Sequence, residues 1–308
     1  MKKEVIEPWG VNIPYIFLAM VYWALGGIFF NFHPYFMLIG AYSLFFGMIL
    51  RLFFPAKKYL ILHLATLVSL SVPIPYFQVV ASVFLTSTEI WAIHDVKSYG
   101  SKFPINFLVL LSPPASIISW LLYPNFWILL IPLMLYTLGV NIGVFHATLN
   151  TRVIFGLYQF PLLLFILLVG FFEELFTGLG LLYSLTLFQK GLKMNRSALV
   201  TMVYVTVSPI LGYFISYTHA FTLGVMSPLF FSCITYSISR YNYDKVYIPS
   251  SLSFLSLILH NINLGVSAIV WIVAVLFFLY LIKDNFYMES IKTGMSRRWL
   301  KSARGKKQ

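Results

Sequence analysis

Glu173 and Glu174 stand side by side in Phe171-Phe172-Glu173-Glu174-Leu175-Phe176-Thr177-Gly178, and they are the only charged residues between Val153 and Gln189. An ionised carboxylate in lipid costs about 2.5–3.5 kcal/mol on insertion scales. Such a pair therefore lies at a membrane surface, faces a polar cavity or is held neutral. In each setting it can exchange a proton, so Glu173 and Glu174 are the candidate catalytic residues.

Of the six histidines, His63, His219 and His260 lie in or against apolar runs, where an idle imidazole is expensive. His94 and His146 close two further runs, and His33 reads as an interfacial residue. Neutral imidazoles from two helices can hold the iron of a b-type haem from both sides, with the porphyrin buried among apolar side chains. An aromatic content of 19% supplies such a lining. The expected cofactor-binding residues are His219 with His260, and a second pair drawn from His63, His94 and His146. Two haem b groups at different depths would carry electrons across a membrane, with Glu173 or Glu174 taking a proton from a quinol as it is oxidised. Cys233 is the single cysteine, which excludes an internal disulfide, a cysteine-ligated iron–sulfur cluster and a thiolate zinc site.

The same residues suit a second chemistry. Glu173-Glu174, then His219, then His260 with Asn263, resembles the motif order of the intramembrane CAAX-processing and bacteriocin-immunity proteases. The resemblance implies paired glutamates and histidines that position a water for peptide hydrolysis. The motifs depart from that family's: the sixth position of the first motif, counted from Glu173, is Gly178 rather than arginine, Phe214 stands five residues before His219, and Asn261 and Asn263 follow His260 by one and three. A third chemistry is solute transport coupled to Glu89, Asn141 or the Glu173–Glu174 pair. No phosphate-binding glycine loop or dinucleotide fingerprint occurs, which excludes nucleotide hydrolysis by this chain.

The elements that position these residues are membrane spans. The chain has 308 residues, 60% of them hydrophobic and 10% charged, with a mean hydropathy of +0.86. Soluble domains carry about 25% charged residues. A ruler of ~20 apolar residues gives twelve segments: 11–31, 34–54, 59–74, 76–94, 104–122, 126–145, 153–172, 175–188, 198–217, 221–239, 247–261 and 265–282. The expected fold is an all-α, polytopic helical bundle in the cell membrane, a single transmembrane domain over 1–282 followed by a basic cytoplasmic tail over 283–308.

With both termini cytoplasmic, all 21 basic residues fall on the inner side, as the positive-inside rule requires. They are Lys2 and Lys3; Arg51, Lys57 and Lys58; Lys97 and Lys102; Arg152; Lys190, Lys193 and Arg196; Arg240 and Lys245; and the tail, including Arg297, Arg298, Lys301, Arg304, Lys306 and Lys307. The net charge of +12 is thus a fringe against anionic headgroups of the lipid bilayer rather than a nucleic-acid surface. The alternation puts His63, His94 and His146 on the inner side, and His33, His219, His260, Glu173 and Glu174 on the outer. Gly139, Gly143 and Ala147 give one span a face of small residues, and Pro113-Pro114, Pro132 and Pro209 interrupt others.

In length, in Ile/Leu/Phe/Tyr-rich spans, in Lys/Asn/Ile-biased loops, in scattered intramembrane histidines and in the basic ending Arg304-Gly305-Lys306-Lys307-Gln308, the chain resembles the hydrophobic B subunits of the cytochrome b558/566 complexes of thermoacidophilic archaea. That resemblance implies a respiratory electron-transfer complex. Its partners would be a haem-bearing A subunit exposed outside, a Rieske-type protein and another membrane cytochrome.

Overall fold

Lipid offers no partners to backbone N–H and C=O groups, so each apolar run must satisfy them within itself as a helix. A computed structural model describes residues 7–95 and 106–300, and shows helices throughout with no strand among the described residues. The helices are α1 (Asn12–Ile28), α2 (His33–Phe53), α3 (Leu60–Leu70), α4 (Pro75–Asp95), α5 (Phe107–Leu121), α6 (Phe126–Leu149), α7 (Phe160–Phe171) and α8 (Phe176–Leu187). They continue with α9 (Arg196–Gly212), α10 (Tyr217–His219), α11 (Ser227–Ile238), α12 (Tyr247–His260), α13 (Leu264–Ile282) and α14 (Met288–Thr293), and a π-helical stretch, Ala220–Met226, joins α10 to α11.

Among the described residues, five helical segments are long and apolar enough to cross a membrane: Phe30–Phe53, Pro75–His94, Phe126–Leu149, Tyr217–Ile238 and Leu264–Asn285. Asn12–Ile28, Phe107–Leu121, Gly156–Phe171, Arg196–Gly212 and Tyr247–His260 are shorter apolar helices. The boundaries follow local chemistry. Pro34, Pro161 and Pro228 sit in the first turns of α2, α7 and α11, where a missing N–H costs nothing. Asn195 and Asn263 cap α9 and α13, their side chains accepting from the N–H groups of Ala198 and Val266 at 3.0 Å each.

The described chain divides into two compact units, with the divisions running through α5 and α6. Unit 1 comprises 1–105, 110–133 and 284–308. Here α1 and α2 pack closely, because a Cβ on Gly40 would collide with the Trp23 ring. Hydroxyls of Tyr15 and Tyr22 donate to the carbonyls of His63 and Leu70 in α3, at 2.8 and 3.1 Å. One end of the unit gathers the basic segments: Gly10 N–H donates to Ile291 C=O at 2.8 Å, Arg51 donates to Gly294 C=O, and Lys57 pairs with Glu7 at 3.0 Å. The described part of the segment after α13 is thus held against the end of α2 that carries Arg51. Lys2, Lys3, Lys97, Lys102, Lys301, Arg304, Lys306 and Lys307 lie outside the described residues.

Unit 2 comprises 106–109 and 134–283. A Cβ on Gly180 of α8 would collide with the Val205 carbonyl of α9, so this contact is backbone against backbone. Of the three small residues on α6, Gly139 touches Leu108 and Val109 of α5, whereas Gly143 meets nothing and Ala147 is exposed. The basic connections again share one end. Arg152 N–H donates to Leu187 C=O at 2.8 Å, Lys193 N–H to Leu149 C=O at 2.7 Å, and the Asn195 amide to Asp244 at 3.0 Å.

Candidate functional site

In unit 1, three turns distant in sequence converge at the end opposite the basic segments: those joining α1 to α2, α3 to α4, and α5 to α6. They enclose a cavity of about 650 Å³, within the ~300–1,000 Å³ of small-molecule sites. Its rim includes Phe32, Pro73 and Pro124, and its floor Leu38 and Leu129. Tyr35 stands edge-on to both Trp120, with ring centroids 6.2 Å apart, and Tyr123, at 5.9 Å. Trp120 and Tyr123 stack on one another at 6.2 Å.

The polar atoms around this aromatic group are poorly satisfied. The Tyr35 hydroxyl lies against the Gln78 side chain, yet Tyr35 Oη, Gln78 Oε1 and Trp120 Nε1 are buried without hydrogen-bond partners. Only the amide nitrogen of Gln78 is used, donating to Val72 C=O at 2.7 Å. Buried polar atoms of native proteins are nearly all paired; of these three residues Tyr35 lines the cavity, and Gln78 and Trp120 stand behind it against the Tyr35 side chain, so the orphans lie in the cavity's wall. Sequence reasoning missed this site. Its signal is the aromatic and proline content of the three basic-free turns, Phe29 to Phe36, Pro73 to Tyr76 and Tyr123 to Phe126.

Glu89 and His63 lie toward the other end of the same unit. Glu89, on α4, is 3% exposed, and its Oε1 has no hydrogen-bond partner. His63, on α3, is 1% exposed; its Nδ1 accepts from Trp9 Nε1 at 3.1 Å, which leaves Nε2 as the protonated nitrogen of the neutral ring. That Nε2 faces the Phe54 carbonyl without reaching hydrogen-bonding geometry. The Tyr59 ring sits 6.1 Å from His63 and 5.2 Å from Trp91.

In unit 2 the structure brings His219 and His260 together, with ring centroids 3.8 Å apart and planes inclined by 30°. His219 ends α10, just before the π-helical stretch, and His260 ends α12; Ser216 Oγ lies 3.2 Å from His219 Nδ1. Axial ligands of a haem stand on opposite faces of the porphyrin with nitrogens toward the iron. Two imidazoles in van der Waals contact, with centroids 3.8 Å apart, leave no gap for the macrocycle, so the pair as arranged does not fit that role.

Glu173 and Glu174 form an exposed 3₁₀ turn between α7 and α8. This turn lies at the same end as the histidine pair, because Phe176 packs on Tyr217 with centroids 6.4 Å apart. Among the described residues, no three His, Cys, Asp or Glu side chains gather in a group that could hold a metal. His94 is exposed at the end of α4, and His146 is exposed on α6 with its Nδ1 2.8 Å from Thr151 C=O. His33 Nδ1 lies 3.0 Å from Gly26 C=O. Asn141 is buried, donating to Thr137 and Leu229 carbonyls at 2.8 and 3.1 Å.

Comparison of the chain with protein-family models, with curated proteins and with solved structures finds no match.

Proposed function

We propose that the chain is the multi-pass subunit of a cell-membrane electron-transfer complex, that it crosses the bilayer twelve times with both ends in the cytoplasm, and that it handles a quinol in the cavity of unit 1. The observation that supports this reading is the cavity itself: about 650 Å³ of space with aromatic walls that include Phe32, Tyr35, Phe36, Tyr123 and Phe126, and the unpaired Tyr35 Oη set in that wall. A quinol ring asks for stacking faces and for partners to its two oxygens. Exposed Phe30, Ile74 and Tyr76 beside the mouth offer an apolar path for an isoprenoid tail.

Oxidation of the quinol breaks two O–H bonds, leaves the quinone, and releases two protons and two electrons. Aromatic walls and oxygen-binding groups hold the ring in place while that happens. The electrons pass to haem carried by a partner, an outward-facing haem-bearing subunit with a Rieske-type protein beside it. This assigns haem b to the partner, because the stacked His219–His260 pair does not suit axial ligation.

A second reading, a secondary transporter, draws on one observation. The π-helical stretch Ala220–Met226 interrupts the segment Tyr217–Ile238 beside Ser208 and Ser253, and irregular helices line the solute sites of transporters. Affinity purification in mild detergent separates the two. The electron-transfer reading expects a haem-bearing protein to accompany the chain and give reduced-minus-oxidised cytochrome bands. A chain that purifies alone and moves a solute in proteoliposomes removes that reading.

A further inference from the structure

One buried face of α4 runs from Gln78, which lies against the cavity-lining Tyr35, to Glu89. Gln78 and Glu89 are eleven residues apart. At ~100° per residue they fall within about 20° of the same direction, and at 1.5 Å per residue about 16 Å apart along the axis. Between them on this face lie Ser82 and Leu85, both wholly buried. Thr86, half-buried, flanks the stripe and donates to the Ser82 carbonyl at 2.9 Å. The opposite side of the helix is apolar and exposed, with Val83 43%, Ile90 55% and Trp91 42% accessible. The helix therefore turns its polar stripe, carboxyl included, to the protein interior.

Two observations give the stripe a direction. At its outer end, Gln78 Oε1 is unpaired behind Tyr35, which lines the cavity; at its inner end, the buried Glu89 Oε1 is unpaired as well. Among the described residues, no Lys or Arg is paired with Glu89. Ionisable groups placed in membrane helices without an ion partner mark proton and ion pathways. Structural use alone would favour an apolar residue here, because an unsatisfied buried polar group is costly.

We propose that Glu89 is the protonatable relay of a proton path along α4, and that its proton occupancy changes as the bound quinone is reduced and the quinol oxidised; this rests on the quinol reading of the cavity. On oxidation, the O–H bond of the ring oxygen nearest Gln78 breaks, its electron leaves to the partner haem, and the proton passes by way of water along the Gln78–Ser82 face to the Glu89 carboxylate. Release from Glu89 toward the basic end of the unit restores the carboxylate. Leu85, the apolar member of the stripe, limits this water to transient entry and so gates the transfer.

Redox-induced infrared difference spectroscopy tests the relay on the full chain, purified in lipid nanodiscs with decylubiquinone. Calorimetric titration with the same quinone first establishes whether the cavity binds it. The expected result is a carboxylic C=O band that appears or vanishes with quinone reduction, shifts in heavy water, moves in Glu89→Asp and is lost in Glu89→Gln, with quinone affinity unchanged in both variants. Bound quinone without such a band, or a band that survives in Glu89→Gln, overturns the relay and leaves the quinol reading standing. Absence of quinone binding overturns the quinol reading, and the relay with it.

Discussion

Replacing Tyr35 with phenylalanine separates a binding role from a packing role, because the two give opposite signs. The ring of Tyr35 packs edge-on against Trp120 and Tyr123, and phenylalanine keeps both contacts. The only atom lost is Oη, which is buried and unpaired. A buried hydroxyl without a partner costs about 1–3 kcal/mol, and deleting it forfeits no hydrogen bond. Thermal stability of the free protein should therefore hold or rise. In the bound state the same hydroxyl donates to a quinol or quinone oxygen, a hydrogen bond of about 1–1.5 kcal/mol, so Tyr35→Phe should weaken binding roughly five- to tenfold. Calorimetric titration with a short-tailed quinone, run beside a thermal melt in the same detergent, reads both. Unchanged affinity would refute the assignment of Oη to the ligand, and a fall in melting temperature would show that the hydroxyl serves the fold.

The other predictions address packing and the fate of the histidines. Gly180→Ala forces a methyl onto the Val205 carbonyl, and the displacement of α8 from α9 should cost about 1–3 kcal/mol, seen as an earlier unfolding midpoint in denaturing detergent. Asn195→Ala removes the cap of α9 and its contact to Asp244, with an expected loss of about 1 kcal/mol in the same assay. Double replacement of His219 and His260 by alanine should leave the haem content of the purified complex unchanged; loss of the reduced cytochrome bands would return the ligands to this chain.

Much of the helical layout could be read from hydropathy, since each expected segment coincides with or contains a helix. Where boundaries moved, a local cause is visible. The segment expected from 153 begins as helix only near Gly156, whose φ of +52° breaks the preceding backbone, and Pro161 then starts α7. The span expected to end at Tyr217 stops at Gly212 instead, and Tyr217 opens the next helix through a π-helical stretch that hydropathy cannot distinguish from an α-helix. Within each unit, hydrogen bonds gather the described basic connections at one end.

Convergence was legible only in part. His219 and His260 share a side by sequence and meet in space, yet periodicity could not say that they would stack rather than face one another across a gap. His63, His94 and His146 share a side as well, but one is buried against Trp9, another is exposed, and the third is held to its own Thr151. The cavity of unit 1 escaped notice because its walls come from turns about 40 to 50 residues apart, each an unremarkable cluster of aromatic residues and proline on its own.

Photolabelling with an azidoquinone, followed by peptide mapping, tests the central claim most directly. The account predicts covalent adducts on the segments 31–38, 73–75 and 123–129, competed away by excess unlabelled quinone and reduced in Tyr35→Phe. Adducts confined to the neighbourhood of His219 and His260, or labelling that excess quinone does not displace, would contradict it.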